Sequence, residues 1–200
     1  MKSSIRLGRV AGIDVGIHYT WLFAFALIAW SLAAGFFPST APGLATATYW
    51  LLGVAAALGL FASVLIHEFS HSLMALARGL RVHSITLFIF GGVSTIVGEA
   101  ERSLDEFLIA VVGPLSSFVL AGVFWAVGQA AALAGTPLGA FVGYLASVNL
   151  ILGVFNLVPG FPLDGGRVLR SIVWAASGSL RRATQVASYV GQAFGFVLIF

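Results

Sequence analysis

The charges of this chain are confined to three short stretches, and that distribution limits what it can fold into more than any other feature. Lys2 to Asp14, Arg78 to Glu106 and Asp164 to Arg182 hold every Asp, Glu, Lys and Arg except Glu68. Between them run apolar spans of about the 20 residues that a hydrocarbon core about 30 Å thick demands. We read Ile17 to Phe37 as the first span, Tyr49 to Ala77 as the second, Phe107 to Ala134 as the third and Leu138 to about Val158 as the fourth. Ala183 to Phe200 begins another and stops inside the apolar run Phe196 to Phe200, which reads as a helix cut short with a helix or soluble domain to follow. The loops Pro38 to Thr48 and Gly135 to Pro137 carry no charge. With a cytoplasmic N-terminus, each charged stretch returns to the cytoplasm and each neutral loop faces out, as the positive-inside rule prefers.

Composition closes the alternatives. The chain is 60% apolar and 8% charged, with ten basic and seven acidic groups and a mean hydropathy of +1.03. A soluble domain carries about 25% charged residues, so a soluble enzyme is excluded. A nucleic-acid partner is excluded with it, and the lipid bilayer is the main solvent. The expected class is an α-helical polytopic membrane protein with about five to six transmembrane helices and a small membrane-associated β-sheet, forming a single domain over residues 1–200. The sheet comes from Val82 to Phe90 and Val93 to Val97, β-branched and aromatic runs joined at Gly91-Gly92, with Ile5 to Tyr19 as a partner strand or hairpin. A sheet edge cannot face lipid. An unpaired strand beside an active site can instead hold an extended peptide of any sequence.

Chemistry enters at His67-Glu68-Phe69-Ser70-His71. Residues i and i+4 share one helix face, so both imidazoles can reach one zinc ion at about 2.0–2.1 Å with Glu68 beside them. The bland alternative is a pair of helix-end histidines and a glutamate that snorkels to the headgroups. Glu68 precedes Arg78 by ten residues, or about 15 Å of helix, which is deep for a spectator carboxylate. The chain has no cysteine, so a third ligand must be His, Asp or Glu. Asp164 is the residue well placed for it. It lies between Asn156-Leu-Val-Pro159-Gly-Phe-Pro162-Leu163 and Gly165-Gly166-Arg167, where prolines and glycines break the fourth span. Taken alone, the same stretch reads as a helix-ending turn with Asp164 capping the next helix. The deep imidazole pair without a third ligand reverses that order.

These motifs together resemble the site-2 protease family of intramembrane zinc metalloproteases, in a compact form without an inserted PDZ domain. The match runs from the strand-like N-terminus through Arg167. The resemblance implies a zinc endopeptidase that cleaves transmembrane segments of membrane-anchored proteins. It implies His67, His71 and Asp164 as zinc ligands, Glu68 as the acid/base that activates a zinc-bound water, and Gly91, Gly92, Val93 and Ser94 as the strand that holds unwound substrate. Asn156 falls on a family asparagine that assists substrate or oxyanion binding; as a buried amide it could equally bond the carbonyls freed near Pro159. The implied setting is a multi-pass protein of a prokaryotic plasma membrane, and some compact members carry a C-terminal pair of CBS domains. His18 and His83 read as structural groups, Arg167, Arg170, Arg181 and Arg182 as headgroup anchors, and Trp21, Trp50 and Trp174 as an aromatic belt. A divalent-metal transporter would need further His, Asp or Glu along other spans, which carry none beyond His18 at the edge of the first. An inactive scaffold is the other alternative, against which stands the intact set of ligands and base.

Overall fold

The computed structural model describes residues 5–129 and 135–199. It begins with a hairpin of β1 (Ile5–Val10) and β2 (Ile13–Ile17), closed by Ala11 and Gly12, both at positive φ. Two central residues of that kind make a turn whose twist matches the flanking strands. β2 pairs in parallel with β3 (Arg81–Phe88), and β3 pairs antiparallel with β4 (Gly91–Val97), giving the order β1-β2-β3-β4. Ile13, Ile85 and Val82 turn the buried face of the sheet against helical Ala75 and Ile109. Gly91-Gly92 does not form the connection between the last two strands. Ile89 and Phe90 make the turn, and the glycines open β4, with Gly91 at φ +128° opposite Phe88.

Among the described residues, four helical segments are long and apolar enough to cross a membrane: Thr20–Thr40, Thr46–Ala77, Ser103–Gly128 and Pro137–Asn156. The chain is therefore an integral membrane protein, with a somewhat smaller number of such helices than the five to six expected. The first segment comprises α1 (Thr20–Ser31), a π-helical stretch (Leu32–Phe36) and α2 (Phe37–Thr40). The others are α3 (Thr46–Ala77), α4 (Ser103–Gly128) and α5 (Pro137–Asn156). Residues 130–134, the end of the expected third span, lie outside the described residues. α6 (Asp164–Ser177) is too short to cross, and α7 (Leu180–Ile199) is diluted by Arg181, Arg182 and two glutamines.

Outward faces of the spans carry exposed Phe23, Leu51, Val119, Trp125 and Ile151, a surface that lipid accepts and water would not. Inward faces use small residues so that backbones approach. A Cβ on Gly53 would stand 2.6 Å from the Ala29 carbonyl oxygen, and one on Gly153 would stand 2.7 Å from the Phe118 ring. Trp21 belongs to this interior rather than to an interfacial belt: it stacks on Phe25 and meets Phe61 edge-on.

α6 is locked to α4 by an ion pair that the sequence did not reveal. Glu106, 1% exposed, accepts from Arg170 Nε at 2.6 Å and from Arg170 Nη2 through the same oxygen. Its second oxygen is buried without a partner, and the Arg170 guanidinium also lies 5.5 Å from the Phe161 ring centre. Arg170 is thus an internal strut, not a headgroup anchor. Removing one member of a buried pair strands the other charge and costs about 3–5 kcal/mol, whereas replacing both is often neutral. Arg170→Met is expected to lower stability by that amount in reversible unfolding in detergent, and Glu106→Gln with Arg170→Met is expected to recover most of it.

Candidate metal centre and catalytic cleft

α3 brings His67, Glu68 and His71 to mid-helix, and α6 begins at Asp164. The two histidines are 3% and 4% exposed. Asp164 Oδ2 lies 3.1 Å from His67 Nε2 and 3.0 Å from His71 Nε2, and the two Nε2 atoms are 3.1 Å apart. Among the described residues, these three side chains are the group able to hold a metal ion together. The N-cap position of α6 is Leu163 and Asp164 is the first helical residue, with its carboxylate directed to the imidazoles.

The face of α4 at four-residue spacing orients the imidazoles. His71 Nδ1 donates to the Ile109 carbonyl oxygen at 2.6 Å, and His67 Nδ1 meets Ser117 Oγ at 2.9 Å. A carbonyl only accepts, so neutral His71 carries its proton on Nδ1 and presents an Nε2 lone pair inward. Such outer partners are what fix metal-binding histidines. Between these two contacts sits Gly113, where a Cβ would lie 2.1 Å from His71 Nε2 and 2.8 Å from His67 Nε2. Any side chain there would collide with both imidazole nitrogens that face Asp164.

The donors fit zinc. Tetrahedral bonds of about 2.0–2.1 Å put ligand atoms about 3.3–3.4 Å apart, so the observed spacings need open by only a few tenths of an ångström. Lone pairs from an imidazole and a carboxylate aimed at one point repel until a cation takes them. Without thiolates, two imidazoles and one carboxylate still form a usual catalytic zinc set with a fourth position left for water or substrate.

Glu68 stands beside this group. Ser94 Oγ donates to Glu68 Oε2 at 2.9 Å and accepts from Ser72 Oγ at 3.1 Å. Gly92 makes room for the glutamate, since a Cβ there would be 2.5 Å from Glu68 Cγ. Both contacts come from the start of β4, which therefore supports the carboxylate as well as facing the cleft. The cleft measures about 410 Å³ and is lined by Glu68, His71 and Asp164, by Gly92, Val93 and Ser94 of β4, and by Asn156 and Arg167. Asn156 Nδ2 donates to the Leu152 carbonyl at 2.9 Å, within its own helix and not near Pro159. Gly91 lies at the β4 end next to the turn. His18 bonds Thr20 outside the site. The supporting roles of Ile109, Gly113, Ser117 and Ser72 were missed from sequence; the available signal covered two of them, Gly113 and Ser117, small residues four apart on α4.

Membrane-length helices around a buried His-His-Asp set and a neighbouring carboxylate define a membrane-embedded metalloprotein. Comparison with known proteins gives the family. The model of peptidase family M50 matches residues 55–135 and 127–198. The chain belongs to this family, which includes the site-2 proteases. It is 42% identical over its full length to a Synechocystis protein provisionally named zinc metalloprotease sll0528, covering 52% of that protein. It is 43% identical to Mycobacterium tuberculosis Rip3, also provisionally named a zinc metalloprotease, covering 51% of it. The chain thus spans about half the length of these curated relatives. The solved site-2 protease of Methanocaldococcus jannaschii superposes with a TM-score of 0.63 at 31% identity, over 98% of this chain and 82% of that one.

The steric role of Gly113 gives a direct test. Gly113→Ala is expected to reduce bound zinc, measured by elemental analysis of purified protein, from about one per chain to a small fraction, because the added methyl group displaces both imidazoles.

Proposed function

We propose that this chain is the catalytic part of a zinc endopeptidase that cuts transmembrane segments of membrane-anchored proteins. The observation that carries the reading is the Glu68 carboxylate, held by Ser94 beside the convergent His67, His71 and Asp164 in one cleft. Those three residues would hold the ion. Bound there, zinc supplies Lewis acidity, which makes water a nucleophile near neutral pH and polarises the scissile carbonyl.

The remaining work falls to side chains and backbone. Glu68 takes the proton of the attacking water and returns one to the leaving amine. Ser94, by donating to one carboxylate oxygen, leaves the other turned to the reacting atoms. Asn156 uses one amide N–H on Leu152, and its second can donate to the tetrahedral oxyanion, a contribution of about 2.7–4 kcal/mol in comparable sites. A helical peptide bond is shielded by its own hydrogen bonds, so the substrate must unwind. β4 is an edge strand, and its outer N–H and C=O groups from Gly91 to Ser94 can pair with an extended segment irrespective of sequence. The buried ligand set favours a fixed ion over a transported one: among the described residues no second metal-capable group continues a path. We place the N-terminus on the cytoplasmic side of a prokaryotic plasma membrane, from the positions of the charged stretches.

Glu68→Gln separates proteolysis from metal binding. Zinc content is expected to stay near one per chain while cleavage of a membrane-anchored test substrate falls by about 10²–10⁴. Undiminished cleavage would remove Glu68 from the mechanism.

A further inference from the structure

Three polar side chains follow one another along α6 at three-residue intervals: Asp164, Arg167 and Arg170. Asp164 meets the imidazoles and Arg170 meets Glu106. Among the described residues Arg167 has neither a hydrogen bond nor an ion pair. It is partly buried and lines the same cleft as Glu68 and Asp164. Among the described residues it is the sole Lys or Arg of that cleft, so it is not the headgroup anchor that the sequence suggested. The two anions there are already engaged, Glu68 by Ser94 and Asp164 by the histidines. The surrounding walls are Phe88, Phe90, Val93, Ile96, Pro162 and Leu163.

We propose that Arg167 selects substrates bearing a carboxylate side chain close to the scissile bond. This rests on the proteolytic reading above. A partly buried guanidinium between apolar walls, with no partner among the described residues, attracts an opposite charge more strongly than a fully exposed one does. Its planar fork matches a carboxylate through two parallel hydrogen bonds. Backbone carbonyls of the substrate are a weaker match, being neutral, and they have the β4 edge to pair with. The substrate's own energetics act in the same direction. An Asp or Glu within a transmembrane segment is disfavoured in lipid, so moving it beside Arg167 relieves that penalty and helps draw the segment out of the bilayer.

The test uses zinc-loaded protein carrying Glu68→Gln, embedded in lipid nanodiscs, and labelled transmembrane peptides in which one Glu is scanned along the segment against Gln at the same place. Binding is expected to be about tenfold tighter for Glu at one or two neighbouring positions. Adding Arg167→Gln is expected to bring that ratio to about one. Arg167→Glu is expected to transfer the preference to Lys at those positions, which a misfolded protein could not do. Equal binding of Glu and Gln peptides throughout, or a preference that survives Arg167→Gln, would overturn the proposal. Cleavage of the same peptides by protein with Glu68 intact separates the two readings. A binding preference without any cleavage contradicts proteolysis and leaves the Arg167 site standing, whereas cleavage without preference does the reverse.

Discussion

Hydrocarbon offers a polar group nothing to bond to, and several buried polar contacts in this fold answer that constraint by joining one helix to another. Asn149 on α5 donates to Ser63 on α3 as well as to its own helix at Leu145. Glu106 on α4 takes Arg170 on α6. His71 on α3 reaches the Ile109 carbonyl on α4, and His67 reaches Ser117. These contacts give the bundle a defined register, because lipid supplies little hydrophobic drive for one apolar helix to choose its place beside another.

The candidate metal centre is the most demanding instance. Two imidazoles and a carboxylate far apart in sequence meet at a single point, and each depends on α4. Ile109 and Ser117 turn the rings, Gly113 keeps the space between them open, and Glu106 fixes the helix that starts at Asp164. β4 closes the opposite side. Its Gly92 and Ser94 face the Glu68 carboxylate, while its outer edge pairs with no other described strand. One strand therefore serves both the proposed base and the proposed substrate, which accounts for a small sheet in an otherwise helical membrane protein.

How much of this was legible follows from which interactions leave a local pattern. The four-residue spacing of His67 and His71 is a property of one helix, and the prolines and glycines before Asp164 announce broken backbone, so their convergence could be anticipated. The N-terminal hairpin was legible from alternation and from its glycines. Helix–helix partners leave no such trace. Arg170 and Arg167 look like surface anchors in a sequence, yet one meets a buried glutamate and the other enters the cleft. Trp21 sits near a span end but faces inward, because the neighbouring Phe25 and Phe61 offer it rings. Gly91-Gly92 suggests a turn, whereas Gly92 is small because Glu68 needs the space. In each case the deciding neighbour lies tens of residues away, apart from Phe25.

The account depends on a cation gripped jointly by α3 and the start of α6, and X-ray absorption at the zinc edge of the purified protein tests this most directly. It predicts one zinc per chain with two imidazole nitrogens and carboxylate oxygen at about 2.0–2.2 Å, and loss of that oxygen with weakened binding in Asp164→Ala. Absence of zinc, or a ligand shell and affinity unchanged by Asp164→Ala, would contradict it.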